Sequence, residues 1–242
     1  MNGDRRKSPF RFLRIFLEIP VIVLSIYIAF VVDEYGKDKE EANLERKYLE
    51  ELLEETRINE EELKADQDAR RNQILLMDKM LESAIRTVDP DTLLMAMDQL
   101  LSLRIYSPTD AVYQDLVSSG NLRLITSDSV RKYILLYQGA LSRKDVTELS
   151  DINLVETQLE PYLVEKQVLS LLEPYRDLPS IDISGQQQDR IVRILLSDRK
   201  FIDLVYLRRN RIRDTEYFAN PMQWYLRNIR ELIEKQLEAG KE

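Results

Sequence analysis

The chain has 242 residues, a formal net charge of −8 and 32% charged residues, and it contains neither histidine nor cysteine. These absences exclude zinc sites of the His/Cys kinds, Ser-His triads, cysteine nucleophiles and a lipobox. Residues 1–14 carry +4 and Glu18 carries −1, so residues 33–242 carry −11. Such an acidic region disfavours nucleic acid as a partner.

An apolar run at residues 15–32 follows a basic N-terminal tail, and Glu18 is its only charge. As a helix, the run spans roughly 27 Å, about the hydrocarbon thickness of a thin bilayer. We predict a transmembrane helix at 15–33. The alternatives are a cleaved signal peptide, which would end in small residues, and a soluble core helix, which would show a polar face.

The basic residues of the tail predict its orientation. Cations are costly to translocate, so we expect residues 1–14 in the cytoplasm and residues 34–242 outside it. Basic residues just beyond the apolar run reduce the charge difference between its two sides and so weaken this prediction of orientation. The tail contains Arg5, Arg6, Lys7, Arg11 and Arg14, and the residues beyond the run are Lys37, Lys39, Arg46 and Lys47.

Residues 34–88 are predicted to form a long charged helix, because residues 37–87 contain neither glycine nor proline. Heptad spacing can be followed along it, but the middle positions are polar, which disfavours a long autonomous coiled coil. These positions include Thr56, Asn59, Asp66, Arg70 and Gln73. The wider apolar face at 74–85 predicts that this end packs in a bundle core.

Residues 89–242 are predicted to form a helical bundle that packs on the end of the long helix. Three pairs of a capping residue and a proline predict helix starts: Asp89-Pro90, Ser107-Pro108 and Asn220-Pro221. The predicted fold class is all-α, with a single transmembrane helix, a long charged helix and an antiparallel helical bundle.

Further turn signals divide this bundle. Gly120 predicts a left-handed helix end, and residues 121–125 form a short apolar connector. Pro161 predicts a bend in the helix that follows. Residues 174–185 are read as a loop before two last helices at 186–214 and 221–238.

Two groups are candidate binding residues. A basic cluster could hold an anion or an acidic partner, or form a solvated helix end that pairs with the acidic long helix. An aromatic group could line a ligand pocket, or pack in the core. The cluster is Arg208, Arg209, Arg211 and Arg213, and the aromatic group includes Tyr206, Tyr217, Trp224 and Tyr225.

Motifs for catalysis are scarce in this sequence. Residues 197–200 match S-x-x-K but lack the companion motifs, and no G-x-G-x-x-G or phosphate loop is present. A glycosidase-like carboxylate pair remains open, since 43 acidic residues are available. We therefore predict no catalytic, metal or cofactor residues and no enzymatic activity.

Residues 106–125 carry a resemblance to a known group of proteins. The segments Tyr106-Ser107-Pro108-Thr109 and Ser118-Ser119-Gly120-Asn121-Leu122 resemble the central segment of a family of uncharacterised bacterial single-pass membrane proteins. The order of parts is also similar, although the family typically has Asn-Trp where this chain has Asp33-Glu34-Tyr35. The resemblance implies a bacterial inner-membrane location, a periplasmic or extracytoplasmic domain, and no known activity.

The functional expectation is a noncatalytic envelope protein that scaffolds or binds a partner through its helical domain. Expected partners are the lipid bilayer and either another envelope protein or a second copy of the chain, with no nucleic acid and no cofactor. The alternative is a sensor-like helical domain that binds a small ligand. A 14-residue tail is too short for a signalling domain, which disfavours this alternative.

Overall fold

The computed structural model describes residues 9–83, 88–169 and 185–240, with most side chains from Pro20 onward. Every regular element in these ranges is helical, which confirms the all-α class. Among these residues, no helix combines the length and the apolar character needed to cross a bilayer. The side chains of residues 15–19, with which the apolar run begins, lie outside the described part. So does the segment predicted to be a loop at 174–185, except Gly185, which is helical.

The first helix, α1 (Pro9–Glu82), is uninterrupted over 74 residues and is roughly 110 Å long. It joins the apolar run to the charged segment without a break at residue 33. Residues 20–44 are exposed, whereas α1 contributes core residues from Tyr48 to Met80. The long helix is therefore part of the bundle, which corrects the prediction that the bundle packs on its end.

The other helices of the described ranges follow α1 in chain order. They are α2 (Pro90–Leu101), α3 (Ala111–Ser118), α4 (Asp128–Leu154), α5 (Glu160–Glu165), α6 (Gly185–Leu195) and α7 (Arg199–Ala239). The connector before α4 is a 3₁₀ turn at Asn121–Leu124, and a π turn at Val155–Leu159 joins α4 to α5. This wider turn ends two residues before Pro161, where the sequence predicts a bend.

Helices α1, α4 and α7 form the body of the bundle. In the ion pairs between α1 and α4, the residue numbers of both partners rise together, so these two helices run parallel. In those between α1 and α7, one number rises as the other falls, so these helices run antiparallel. The first set is Asp66–Lys144 and Arg70–Glu148, and the second is Arg57–Glu234 and Arg71–Glu216. Because α2 and α3 return along α1, consecutive segments alternate in direction, as in an antiparallel bundle.

Two apolar cores lie along this body. The basal core, nearer the start of α1, joins α1 to α3, the first half of α4 and the end of α7. The distal core joins the end of α1 to α2, α5, α6 and the start of α7. Basal residues include Leu49, Leu63, Leu116, Ile134 and Ile229, and distal residues include Met77, Leu93, Leu159, Val192 and Phe201.

Residues 102–110, here called the strap, run between α2 and α3 without regular structure. Ser107-Pro108 begins no helix, because the side chain of Asn59 holds the strap: it donates to the Thr109 carbonyl at 2.7 Å and accepts from the Thr109 N–H at 2.8 Å. Helix α3 instead begins at Ala111, and Glu55 of α1 accepts the Val112 N–H at 2.8 Å. A residue of another helix therefore supplies the cap.

Asn220-Pro221 also begins no helix, because α7 continues through Pro221. Packing against α1 and α4 stabilises the helix on both sides, and proline costs it one hydrogen bond at the carbonyl of residue 217. Tyr217 is 72% exposed, so this carbonyl lies on the side of the helix that water reaches. Asn220 accepts a hydrogen bond from Gln67 at 3.1 Å instead of capping a helix.

The cap at Asp89 and the turn at Gly120 are confirmed. Asp89 accepts the Thr92 N–H at 3.0 Å at the start of α2. Gly120 has φ 73°, in the left-handed region. Both are local signals that depend on few neighbours, which explains why the sequence predicts them correctly.

Replacing Gly120 with alanine is expected to lower the free energy of unfolding by about 1 kcal/mol, because an L side chain is strained in the left-handed region. Space does not limit the substitution, since no atom lies within 4 Å of the added Cβ. Gly139→Ala, inside α4, is the matched control and is expected to be neutral or stabilising. Urea unfolding of both variants checks this, and equal effects would contradict the backbone explanation.

Asp198 caps α7 and predicts a pH dependence of stability. Its carboxylate accepts the Lys200 N–H at 2.9 Å and the Tyr162 hydroxyl at 2.9 Å, and it pairs with Lys166 at 2.8 Å. The bond with Lys166 lowers the pKa of Asp198 from 3.8 to about 2. The ionised group therefore stabilises the fold above pH 3.8 and loses this effect as the pH falls toward 2.

The difference in Tm between the wild type and Asp198→Asn is accordingly expected to shrink as the pH is lowered through that window. Thermal melts followed by circular dichroism measure it. Asp203→Asn, an exposed change on the same helix, serves as the control. If the difference in Tm between the wild type and Asp198→Asn stayed constant with pH, Asp198 would act only as a neutral cap.

Candidate functional site

A buried ionic layer separates the basal core from the distal core. It contains three acidic and three basic side chains, which come from all three helices of the bundle body and together carry no net charge when ionised. In this ionic layer Asp66 and Arg70 come from α1, Lys144, Glu148 and Asp151 from α4, and Arg208 from α7.

Helical spacing brings these residues to the interior. Residues 144, 148 and 151 of α4 are four and three positions apart, so they share one face of the helix. The same face of α4 carries Ile134, Tyr137 and Leu141 in the basal core. The ionic layer therefore continues an inward-facing stripe in which polar residues replace apolar ones for two turns.

Arg70 lies at the centre of the ionic layer and is 1% exposed. Its Nε donates to Asp66 at 2.8 Å, and its Nη2 donates to the Arg104 carbonyl at 3.0 Å and to Glu148. One guanidinium therefore joins α1, α4 and the strap. The planar donor geometry of arginine suits such divergent partners better than a lysine would.

Lys144 and Glu148 form the second half of this network. The Lys144 ammonium contacts Glu148, lies 3.5 Å from Asp66, and sits 4.7 Å above the centre of the Tyr106 ring. Burial lowers the pKa of Lys144 and raises the pKa of Glu148. Both shifts have the same cause, because removal from water disfavours each charged form and the ion pair offsets only part of this cost.

Arg208 joins α7 to the ionic layer. Its Nε lies 3.3 Å from Asp151, and its Nη2 donates to the Ser102 carbonyl at 2.8 Å. The side chain is fully buried, and burial lowers its pKa. Arg208 therefore does not belong to a surface patch, contrary to the prediction, because it lies on the same inward face of α7 as Ile212 and Thr215.

The other arginines of the predicted cluster lie nearer the surface. Arg209 pairs with Asp78 of α1 at 2.7 Å, as expected for a helix that faces the acidic first helix. Arg211 and Arg213 form no ion pair with any described residue, and Arg213 is exposed. Since Arg211 lies about 200° around α7 from Arg209, the four arginines do not share one anion-binding face.

The aromatic candidates do not form one pocket either. Trp224 and Tyr225 pack with Tyr133 of α4, at centroid distances of 5.3 Å and 6.3 Å. Tyr217 contacts Phe218. Tyr206 lies on α7 roughly 27 Å before Trp224, so it is too far away to share a small ligand with it.

Among the described residues, the longest run of exposed apolar side chains lies outside the bundle, on residues 21–32 of α1. The side chains exposed there lie on every side of the helix, and no described residue packs against them. They are Val21, Ile22, Val23, Leu24, Ile26, Tyr27, Ile28, Phe30, Val31 and Val32. The helices of a soluble protein bury one apolar stripe, whereas here the apolar side chains lie on all sides of the helix.

Comparison of the chain with protein-family models, curated proteins and solved structures finds no match. Membership of the family of uncharacterised bacterial membrane proteins, which the segments at 106–125 suggest, therefore stays a prediction.

Proposed function

We propose that this protein is a noncatalytic, membrane-anchored envelope protein that presents its helical bundle to a partner or holds it as a scaffold. The observation that carries the proposal is the apolar surface of residues 21–32, which encircles α1, together with the unbroken course of that helix into the bundle. Lipid is the surrounding that such a surface requires.

The proposed anchor is residues 15–32, with Glu18 near its cytoplasmic end. Asp33 and Glu34 follow it directly, so the charged part of α1 begins where the hydrocarbon would end. The basic tail supports an N-terminus in the cytoplasm. We therefore place residues 34–242 in the periplasm, outside the inner membrane of a bacterium.

Residues 33–44, here called the arm, connect the anchor to the bundle. They are exposed throughout, and the arm spans roughly 18 Å as a helix. Lys37 pairs with Asp33 one turn earlier at 2.6 Å, and such pairs support an isolated helix. A continuous helical arm supports a scaffolding role, because it transmits the position of the anchor to the bundle.

The bundle interior supports a structural role rather than catalysis. In the ionic layer each basic side chain has an acidic partner, and all three helices contribute to it. Buried ion pairs add little stability, but they favour one alignment of neighbouring helices over shifted ones. We propose that this layer sets the register of α1, α4 and α7.

The topology is tested by fusing alkaline phosphatase after Glu242 and separating membranes from the soluble fraction. We expect an active fusion in the membrane fraction, with a mature chain that retains its first residues. An inactive fusion, or a chain cut near Asp33, would contradict the proposal. The same fusion with residues 1–32 deleted is the control and should be soluble and inactive.

The scaffolding role is tested by purifying the full chain from solubilised membranes after in vivo crosslinking. A partner that survives stringent washing, or a crosslinked second copy of this chain, is expected. Recovery of the uncrosslinked chain alone from cells in which crosslinking is otherwise efficient would contradict it.

A further inference from the structure

The outward face of α4 carries a row of uncharged side chains, here called the seam. Its residues are spaced alternately four and three positions apart, so they line one side of the helix. They are Leu135, Gly139, Ser142, Val146, Leu149 and Asn153. Leu135, Val146 and Leu149 are 56%, 67% and 65% exposed, so the bundle leaves the apolar part of the seam open.

Two charged residues flank the seam on opposite sides. Arg143 lies on the side that faces α7, and Asp145 lies on the side of the strap, where it lines a cleft with Ile105. Both are exposed, and neither forms a hydrogen bond or an ion pair with a described residue. The two flanks of the seam therefore carry opposite charges that the bundle itself does not pair.

This arrangement of charge is complementary to itself in one direction only. When two α4 helices pack in parallel along their seams, the Arg143 flank of each copy faces the Asp145 flank of the other. An antiparallel pair would place Arg143 beside Arg143 and Asp145 beside Asp145. Opposite charges across an interface select the correct arrangement, so the flanks favour the parallel one.

The exposed sides of the other two body helices are not complementary in this way. On α1, Glu54, Glu61 and Asp68 are exposed at seven-residue intervals, and on α7, Arg213 and Arg227 are fourteen positions apart. Parallel pairing of either row with its own copy would place like charges opposite each other, which is unfavourable. The seam of α4 has no charge that would do so.

The proposed anchor requires the same parallel direction. Two copies in one bilayer are related by a two-fold axis along the membrane normal, so each helix that runs along the bundle meets its counterpart in parallel. At the end of the seam Asn153 would then lie opposite Asn153. A polar Asn pair within an apolar helix contact favours a two-stranded, in-register arrangement.

We propose that this protein forms a parallel dimer in which the seam of α4 packs on the seam of a second copy. The dimer names the partner of the scaffolding role and rests on the proposed function, because the anchor places both copies in one bilayer. The seam is roughly 27 Å long, so the contact is small, and confinement to one membrane raises the effective concentration that it needs.

Disulfide formation in isolated membranes tests the proposal, since the chain has no cysteine of its own. Ser142→Cys and Asn153→Cys are each introduced into the full chain and oxidised with copper phenanthroline. We expect a disulfide-linked dimer from both, because in-register pairing brings each residue opposite itself. Arg213→Cys, on the exposed side of α7, is the matched control and should remain monomeric.

Charge reversal tests the flanks. Adding Arg143→Asp to the Asn153→Cys chain should lower the dimer yield about tenfold, the effect of losing two exposed ion pairs. Adding Asp145→Arg as well should restore the yield, because the exchange keeps the flanks complementary. Both chains are expected to keep the Tm of the wild type, and a yield that does not respond to the first change would contradict the ion pairs.

The remaining outcomes separate the dimer from other contacts and from the anchor. A disulfide at residue 142 but not at residue 153 would indicate an antiparallel contact, in which the two 153 positions lie roughly 27 Å apart, and would overturn the proposal. Equal yields from all three cysteines would indicate random collision and also overturn it. No disulfide at the seam, with an active alkaline phosphatase fusion, would overturn the dimer and leave the anchor intact. Disulfides at both seam positions with an inactive fusion would support the dimer and contradict the topology.

Discussion

Replacing Arg70 with alanine is expected to lower the free energy of unfolding by about 4 kcal/mol, because it leaves buried carboxylates without their cation. Asp66 and Glu148 both lose a charged donor, and the strap loses the bond to the Arg104 carbonyl. Since a whole domain is stable by only about 5–15 kcal/mol, this single change removes much of the stability.

Arg71→Ala is the matched control for Arg70→Ala. The two residues are neighbours on α1, but Arg71 is 53% exposed and its ion pairs with Asp68 and Glu216 lie at the surface. We expect this change to cost less than about 1 kcal/mol. Urea unfolding of both variants decides the matter, and similar losses would contradict the expected cost of leaving buried carboxylates without their cation.

The second large effect concerns the anchor. Exchanging Leu24 and Ile26 for lysine is expected to move the protein from the membrane to the soluble fraction or to abolish its accumulation. Each lysine near the centre of a transmembrane helix costs about 3 kcal/mol on insertion. Both side chains are exposed and contact no part of the bundle, so the change does not act through the fold.

Leu75→Lys is the control for this experiment. Leu75 also lies on α1 and is 54% exposed, but it belongs to the bundle region. We expect the Leu75→Lys protein to remain in the membrane fraction. If the double lysine variant also stayed there, residues 15–32 would not be the anchor.

The sequence predicts the class of fold and the local turns because these depend on nearby residues. The missing glycines and prolines of residues 37–87 indicate a helix, and Asp89 and Gly120 mark turns by their own conformational preferences. The sequence-based prediction of a helix start fails at Ser107 and Pro221. At both places, contacts with distant parts of the chain determine whether a helix begins. Asn59 holds the strap from 50 residues away, and Glu55 caps α3 from 57 residues away.

The ionic layer was visible in the sequence only in part. The polar heptad positions Thr56, Asn59, Arg70 and Gln73 of α1 are buried, but in the sequence they indicate only that a coiled coil is disfavoured, because polar core positions destabilise one. The heptad pattern of α1 does not show which residues pair with its polar positions, because Glu148 is 78 residues from Arg70. Nothing in the neighbouring sequence distinguishes Lys144 or Arg208 from a surface cation. A polar seam within an otherwise apolar heptad is the signal that could have indicated a buried network.

We propose that an anchored, continuous α1 holds the bundle upright above the bilayer. Along α1 from Val32, the basal core begins after roughly 24 Å and the distal core ends after roughly 72 Å. Because the chain has no cysteine, single labels are easily placed at Ser118→Cys in α3, near the base, and Ser197→Cys before α7, near the distal end.

Energy transfer from each label to an acceptor lipid in the outer leaflet of a proteoliposome measures both heights. An upright bundle predicts strong quenching of the label at residue 118 and weak quenching of the label at residue 197. Equal, strong quenching of both labels would place the bundle flat on the membrane and contradict the account.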